Sequence, residues 1–200
     1  TTKTEIDFLE SVLASIETCE NQEELAEVRF ELIRAGYIAE NPGAKREKPT
    51  QEASAPHTFV SSDGLTIRVG KNNRQNDALT LKTAEPDDLW LHTQKIPGSH
   101  VIIQSGGKHI PDRTIEEAAA LAAYFSKARG SSKVPVDYTL KKNIKKPNGA
   151  KPGYVIYETY NTLLKAGWRM QEIDMMDMLG FLRIRAWDAQ REHISQQPKA

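Results

Sequence analysis

The residues in this sequence best placed to do chemistry are lysines. The run Lys141-Lys142-Asn143-Ile144-Lys145-Lys146-Pro147-Asn148-Gly149-Ala150-Lys151 sets five lysines in eleven residues with no acid among them. Lysine supplies a mobile point charge, and Gly149 and Gly153 let a backbone come close, so the pattern suits phosphate contact. The bland alternative is a solvated loop that keeps an edge strand soluble.

A second concentration lies in Gly70–Val101. Gly70-Lys71-Asn72-Asn73 and Asn76-Asp77 read as turn formers dense in amide donors and acceptors, with Arg74 between them. Leu79-Thr80-Leu81-Lys82 alternates like a half-buried strand. Asp88-Leu89-Trp90-Leu91-His92 alternates again, with Asp88, Trp90 and His92 on one face. Pro97-Gly98-Ser99-His100 follows, just before the apolar Val101-Ile102-Ile103. A scaffold strand would carry Val or Leu where this one carries Asp, Trp and His, so that face is expected to be wet. Trp90 is then either core or a platform on which a base stacks.

Other chemistries fit less well. His92 and His100 with Asp88 lack the further ligands that a closed zinc site needs, so hydrogen-bonded or RNA-facing histidines are the better reading. Ser99 and His100 are adjacent, hence on opposite faces of a strand, and make a poor nucleophile and base. Gly70-Lys71 lacks the GxxxxGK[ST] frame of a phosphate-binding loop. Cys19 is the single cysteine, which excludes an internal disulfide and fits a reducing cytoplasm. No cofactor and no catalysis are expected.

The elements that must position these residues follow from periodicity. Residues 4–36 read as two helices, with the stripe Ile6, Leu9, Val12, Leu13, Ile16 on the first and Leu25, Val28, Leu32, Ile33 on the second. Asn21 with Glu24 three residues on marks an N-cap, and Gly36 suits a stop. Two alternating runs, 58–62 and 65–69, meet at Asp63-Gly64 as a hairpin. A long helix opens at Pro111-Asp112-Arg113-Thr114, capped by Thr114 or Asp112, and Gly130 ends it. Residues 134–140 are a strand suited to an edge, because Pro135 sits near its start. Tyr154-Val155-Ile156-Tyr157 is a last strand. Residues 168–195 have helical character.

Composition sets the class. Of 200 residues, 38% are hydrophobic and 27% charged, and no apolar run approaches the roughly 20 residues needed to span a bilayer. The net charge of zero hides a partition. Residues 1–52 carry 12 acidic and 6 basic side chains, and residues 53–157 carry 9 acidic and 15 basic. A basic module behind an acidic helical arm points to a polyanionic partner.

The run Gly70-Lys71-Asn72-Asn73, Asn76-Asp77, Leu79-Thr80, Asp88-Leu89-Trp90-Leu91-His92 and Pro97-Gly98-Ser99-His100-Val101 closely resembles the NFACT-R domain. That domain is the C-terminal part of bacterial RqcH/FbpA (fibronectin-binding protein A) proteins and of their eukaryotic ribosome quality-control relatives. Lys141-Lys142, Lys145-Lys146-Pro147 and Lys151-Pro152-Gly153-Tyr154-Val155 resemble its basic loop and final strand. Glu31-Leu32-Ile33-Arg34-Ala35-Gly36-Tyr37 is similar to the end of the coiled coil before it. Residues beyond about Tyr157 depart from the pattern, and their role is unassigned.

The resemblance implies cytoplasmic RNA work: contact with tRNA and with the RNA of stalled large ribosomal subunits. Alanine tailing would belong to the full-length protein. Fibronectin binding and helix-mediated self-association are the other partners it suggests; no membrane is implied. The expected architecture is α+β, a mostly antiparallel sheet with one major packed helix, preceded by an N-terminal helical hairpin or coiled-coil end. The expected division is a helical arm (1–40), a linker (41–56), an RNA-binding domain (57–160) and a helical tail (161–200). Lys71, Asn72, Asn73, Arg74 and Asn76 would line one surface with the five lysines, over a polar floor of Asp88, Trp90, His92, Ser99 and His100.

Overall fold

A computed structural model of the chain describes residues 2–39 and 54–157; the linker expected at 41–56 lies almost entirely outside them, and the helical tail wholly so. Helix α1 (Thr2–Thr18) and helix α2 (Gln22–Arg34) form the arm. Asn21 caps α2 by accepting from the Glu24 amide at 2.9 Å, while the Glu24 carboxylate reaches back to the Glu20 amide at 2.8 Å. This is the reciprocal box foreseen in the sequence. Gly36, at φ 81°, turns the chain out of the helix, and Tyr37 closes it by donating to the Leu32 carbonyl at 2.9 Å. Phe8, Val12 and Val28 pack between the helices, whereas Ile6, Leu9, Leu13 and Ile16 of the expected stripe are exposed.

The module is a five-stranded antiparallel sheet in the order β1-β2-β4-β3-β5. Its strands are β1 (His57–Val60), β2 (Thr66–Val69), β3 (Leu89–Thr93), β4 (Val101–Gln104) and β5 (Val136–Leu140). The Asp63-Gly64 hairpin is present, and β5 is an edge, as its proline requires. Strand alternation splits the core in two. Ile67, Val69, Leu89, Leu91, Val101 and Ile103 face helix α4 (Asp112–Tyr124), which packs through Ile115, Ala118, Ala122 and then Phe125. Trp90 and Ile102, paired across β3 and β4, face the other way and are covered by Leu79, Ala84 and Ile144.

Several expectations are corrected. The amide-rich turn is helix α3 (Asn73–Ala78), because Asn72 acts as its N-cap and accepts from the Gln75 amide at 2.9 Å. Leu79–Thr83 is not a strand but a π-helical turn closed by Ala84 donating to the Leu79 carbonyl at 2.9 Å. It lays Leu79 and Thr80 onto Trp90 and His100 while leaving Lys82 outside. Helix α4 has no side-chain cap; Thr114 instead bonds Ser61 and Asp63 of the hairpin turn. It ends at Tyr124, before Gly130, because Phe125 and Lys127 exchange backbone bonds with Ser99 and Pro97. The last strand, β7 (Ile156–Tyr157), pairs with β6 (Ile144–Lys145) as a separate ribbon over Trp90.

The arm packs on the module through α3. Glu27 accepts from Asn72 Nδ2 at 2.7 Å and from Gln75 Nε2 at 3.0 Å, and Ser11 accepts from Asn73 Nδ2 at 2.9 Å. Lys71 pairs with Glu24 at 2.8 Å, both largely buried. Glu31, 2% exposed, faces the same junction with neither oxygen in a hydrogen bond of normal geometry among the described residues. Burial pushes its carboxyl up to about 7, with Asn73 and Arg74 opposing the rise and Asp77 adding to it.

A carboxyl whose folded value lies above its unfolded one costs stability once it ionises. Stability should therefore fall as pH rises between about 4.5 and 7 and level off beyond. Glu31→Gln should remove that slope and gain up to about 3 kcal/mol over wild type at pH 8, measured by urea unfolding of both proteins across pH. Asn76→Ala should cost about 1–3 kcal/mol, since the buried His100 amide that donates to Asn76 Oδ1 at 3.0 Å loses its acceptor. Exposed Val60→Ala should stay within about 0.5 kcal/mol.

Candidate nucleic-acid interface

The basic loop leaves β5 at one end of the sheet and crosses the face opposite α4. Lys141–Asn143 forms a 3₁₀ turn held by its backbone: Lys141 donates to the Asp88 carbonyl at 2.8 Å and Lys142 to the Pro86 carbonyl at 3.1 Å. Asp88, which is buried, also accepts from the Ser105 amide at 2.8 Å and the Glu85 amide at 2.9 Å. One residue thus ties three loops at this end, two through its carboxylate and the Lys141 turn through its backbone carbonyl.

Strand alternation then divides the lysines. In β6, Ile144 turns inward onto the Trp90 cluster and Lys145 outward into solvent. Lys142 is exposed and pairs with Asp87 at 3.7 Å. Such a solvated pair is worth at most about 1 kcal/mol and leaves the ammonium available to a phosphate. Lys141 is half-buried, with no ion pair among the described residues. Lys146 and Lys151 are engaged otherwise. Lys146 Nζ meets both oxygens of Asp77, at 3.0 and 2.9 Å, and the Lys151 carbonyl at 2.5 Å. Lys151 Nζ donates to Tyr37 Oη at 2.6 Å and lies 4.6 Å from the Phe8 ring centre and 4.8 Å from that of Tyr37.

The structure does not bring the expected polar floor to the surface. Trp90 is 0% exposed, stacked on His92 at 5.7 Å and tilted on Tyr157 at 4.7 Å, so its ring offers no base a place. His100 is buried edge-on to Trp90, with Nδ1 2.8 Å from Thr80 Oγ1. Burial holds the imidazoles of both His92 and His100 below the usual range. Ser99 is buried, its amide donating to the Phe125 carbonyl. Lys71, Asn72 and Asn73 face the arm, and Asn76 holds the His100 backbone. Arg74 is exposed, its guanidinium over Phe30 at 5.1 Å from the ring centre. Arg74 apart, these residues serve the internal architecture: the rings on the strand face are taken out of water by the layer that covers it, and the amides by the arm and the His100 backbone against which α3 packs.

Sequence reasoning passed over Lys108 and His109, exposed beside two left-handed glycines in the Ser105–Ile110 loop that Asp88 ties to the Lys141 turn. Lys82, exposed at the end of the π turn, was also passed over. Their signal is weak: single basic residues in unlike loops, gathered only by β-strand pairing.

One metal-type grouping occurs among the described residues: Glu20, Glu24 and His57, with ligand atoms within 4.8 Å of one another. Glu24 already neutralises Lys71 at 2.8 Å and caps the helix, so a cation there would meet an ammonium. Asp88 spends its oxygens on backbone amides at the opposite end of β3 from His92.

Comparison with known proteins agrees with this architecture. Residues 55–159 match the family described as NFACT protein RNA binding domain. The chain is 47% identical over 162 residues to the Rqc2 homolog RqcH of Bacillus subtilis, covering 80% of this chain and 27% of that protein. It is 30% identical over 71 residues to the human ribosome quality control complex subunit NEMF, covering 35% of this chain and 7% of that one. A solved structure of the C-terminal part of the fibronectin/fibrinogen-binding protein from Streptococcus suis superposes with a TM-score of 0.72 at 42% identity, over 79% of this chain and 62% of that one. The chain thus spans about a quarter of the length of its bacterial curated relatives. With the matched residues taking in the whole sheet, α4 and the basic loop, the chain belongs to the NFACT RNA-binding domain family.

Proposed function

We propose that this chain binds RNA in ribosome-associated quality control, with tRNA and the RNA of the large ribosomal subunit as its partners. It acts by binding and not by catalysis, in the cytoplasm; alanine tailing belongs to full-length relatives. The observation that carries the reading is the outward presentation of Lys142 and Lys145, with the half-buried Lys141 beside them, on a loop anchored through its backbone to Asp88 and packed through Ile144. Their ammonium groups are left with little competition from carboxylates, as phosphate neutralisation requires. Lys108, exposed in the loop that Asp88 ties to the Lys141 turn, stands at the same end of the sheet. Family membership and the names of the relatives support the setting.

A second reading, adhesion to a protein such as fibronectin, draws on the description of the Streptococcus suis relative and on the exposed apolar stripe Ile6, Leu9, Leu13 and Ile16. That stripe also suits self-association. Either kind of contact would be insensitive to salt.

The test is binding to tRNA and to fibronectin over a range of salt. RNA affinity should fall log-linearly with salt, by about 0.7–0.9 per phosphate contacted. Lys141→Glu with Lys142→Glu and Lys145→Glu should abolish binding at physiological salt. Unchanged affinity in that variant would refute the lysine surface, and salt-independent fibronectin capture in place of tRNA would favour the second reading.

A further inference from the structure

We infer that Lys151 and Lys146 are positioning residues through which the helical arm sets the conformation of the RNA-contacting loop, so that arm docking and RNA binding are coupled. The inference rests on the RNA-binding reading above and assigns to two of the five lysines a role other than phosphate contact.

The loop from Lys146 to Gly153 is a wedge between the arm and α3. On the α3 side, Asp77 is the anchor: it pairs with Lys146 Nζ and accepts from the Gly153 amide at 3.0 Å. Gly153 lies against the Asn73 side chain at φ 79°, with no room for a Cβ. Asn73 in turn donates to Ser11 of α1. On the arm side, Lys151 reaches Tyr37 Oη and lies against the stacked rings of Phe8 and Tyr37, whose centres are 5.8 Å apart. The two lysines are linked to each other, since Lys146 donates to the Lys151 carbonyl. Each ammonium is already supplied with partners, Lys146 with a carboxylate and a carbonyl, Lys151 with a phenol and two ring faces. Leaving them for a phosphate would cost several such contacts at once.

The consequence is conformational. Lys145 and Lys146 are neighbours, so the strut that fixes Lys146 also fixes the strand from which Lys145 projects. If the arm lifts, Lys151 loses Phe8 and Tyr37, the wedge loosens, and Lys141, Lys142 and Lys145 lose their common surface. By linkage, RNA held on that surface must tighten the arm by the same factor.

The experiment compares Lys145→Gln, Lys151→Met and Tyr37→Phe in the full chain, with tRNA as probe. Lys145→Gln should lower the salt slope by about 1, the signature of a lost phosphate contact. Lys151→Met and Tyr37→Phe should weaken tRNA binding by about fivefold or more with the slope unchanged. In wild type, tRNA should slow amide exchange in α1 and α2, and in Lys151→Met it should not. A slope lowered by Lys151→Met as much as by Lys145→Gln would overturn the inference, as would variants that alter neither affinity nor arm exchange.

If wild type shows no salt-dependent tRNA binding, the RNA reading itself fails. The strut is then still read without RNA, by a double-mutant cycle of Tyr37→Phe and Lys151→Met in urea unfolding. Additive effects there would overturn the strut.

Discussion

A row of buried amides governs how this chain is put together. Asn72, Asn73, Gln75 and Asn76 are each below a tenth exposed, and no amide can leave water unpartnered without a cost of about 1–3 kcal/mol. Within the module their obligations are only half met. Asn72 caps α3 and Asn76 holds the His100 amide, but the remaining donors of Asn72, Asn73 and Gln75 point at the arm. Glu27 and Ser11 meet them there, and Ser54 also accepts from Gln75 Nε2, at 2.7 Å. The helical arm is therefore a required cover for a polar seam, which apolar packing between α1 and α2 alone would not explain.

The same seam shows what was legible in the sequence. Signals that act within a few residues were readable: the Asn21–Glu24 cap, the stop at Gly36, the Asp63-Gly64 hairpin and the edge strand behind Pro135. Each depends on local hydrogen bonding or a dihedral preference. One failure is local, and the others involve a distant partner. Gly70–Asp77 reads as turns because Asn and Asp favour turns, yet Asn72 turns that preference into a helix cap. Leu79–Lys82 alternates as a strand would, yet the π turn buries the adjacent Leu79 and Thr80 together, against Trp90 and His100.

The candidate site was legible in kind and not in membership. Asp88, Trp90 and His92 do share a strand face, as period two demands, but a face is wet only if nothing covers it. Here β6 and β7, more than 50 residues later, lie across it and bury Trp90 completely. The buried His100 then serves as a hydrogen-bonding strut to Thr80, its imidazole held well below the usual range by burial, and the ring of Trp90 becomes the centre of the second core.

Charge completes the picture. The acidic excess of the arm is not spread evenly over the module. Glu24 meets Lys71, Glu10 meets Lys127 at 2.9 Å, and Glu27 meets amides, all on the junction side. Lys141, Lys142, Lys145 and Lys108 stand at the other end of the sheet or on the covering ribbon, with Asp87 the one acid paired to any of them among the described residues. A chain of zero net charge can thereby present a positive face, since the arm carries the acidic excess and meets the module away from these lysines. Docking the arm consequently does two things at once: it completes the buried amides, and it keeps the arm's carboxylates away from the lysines left for an anion.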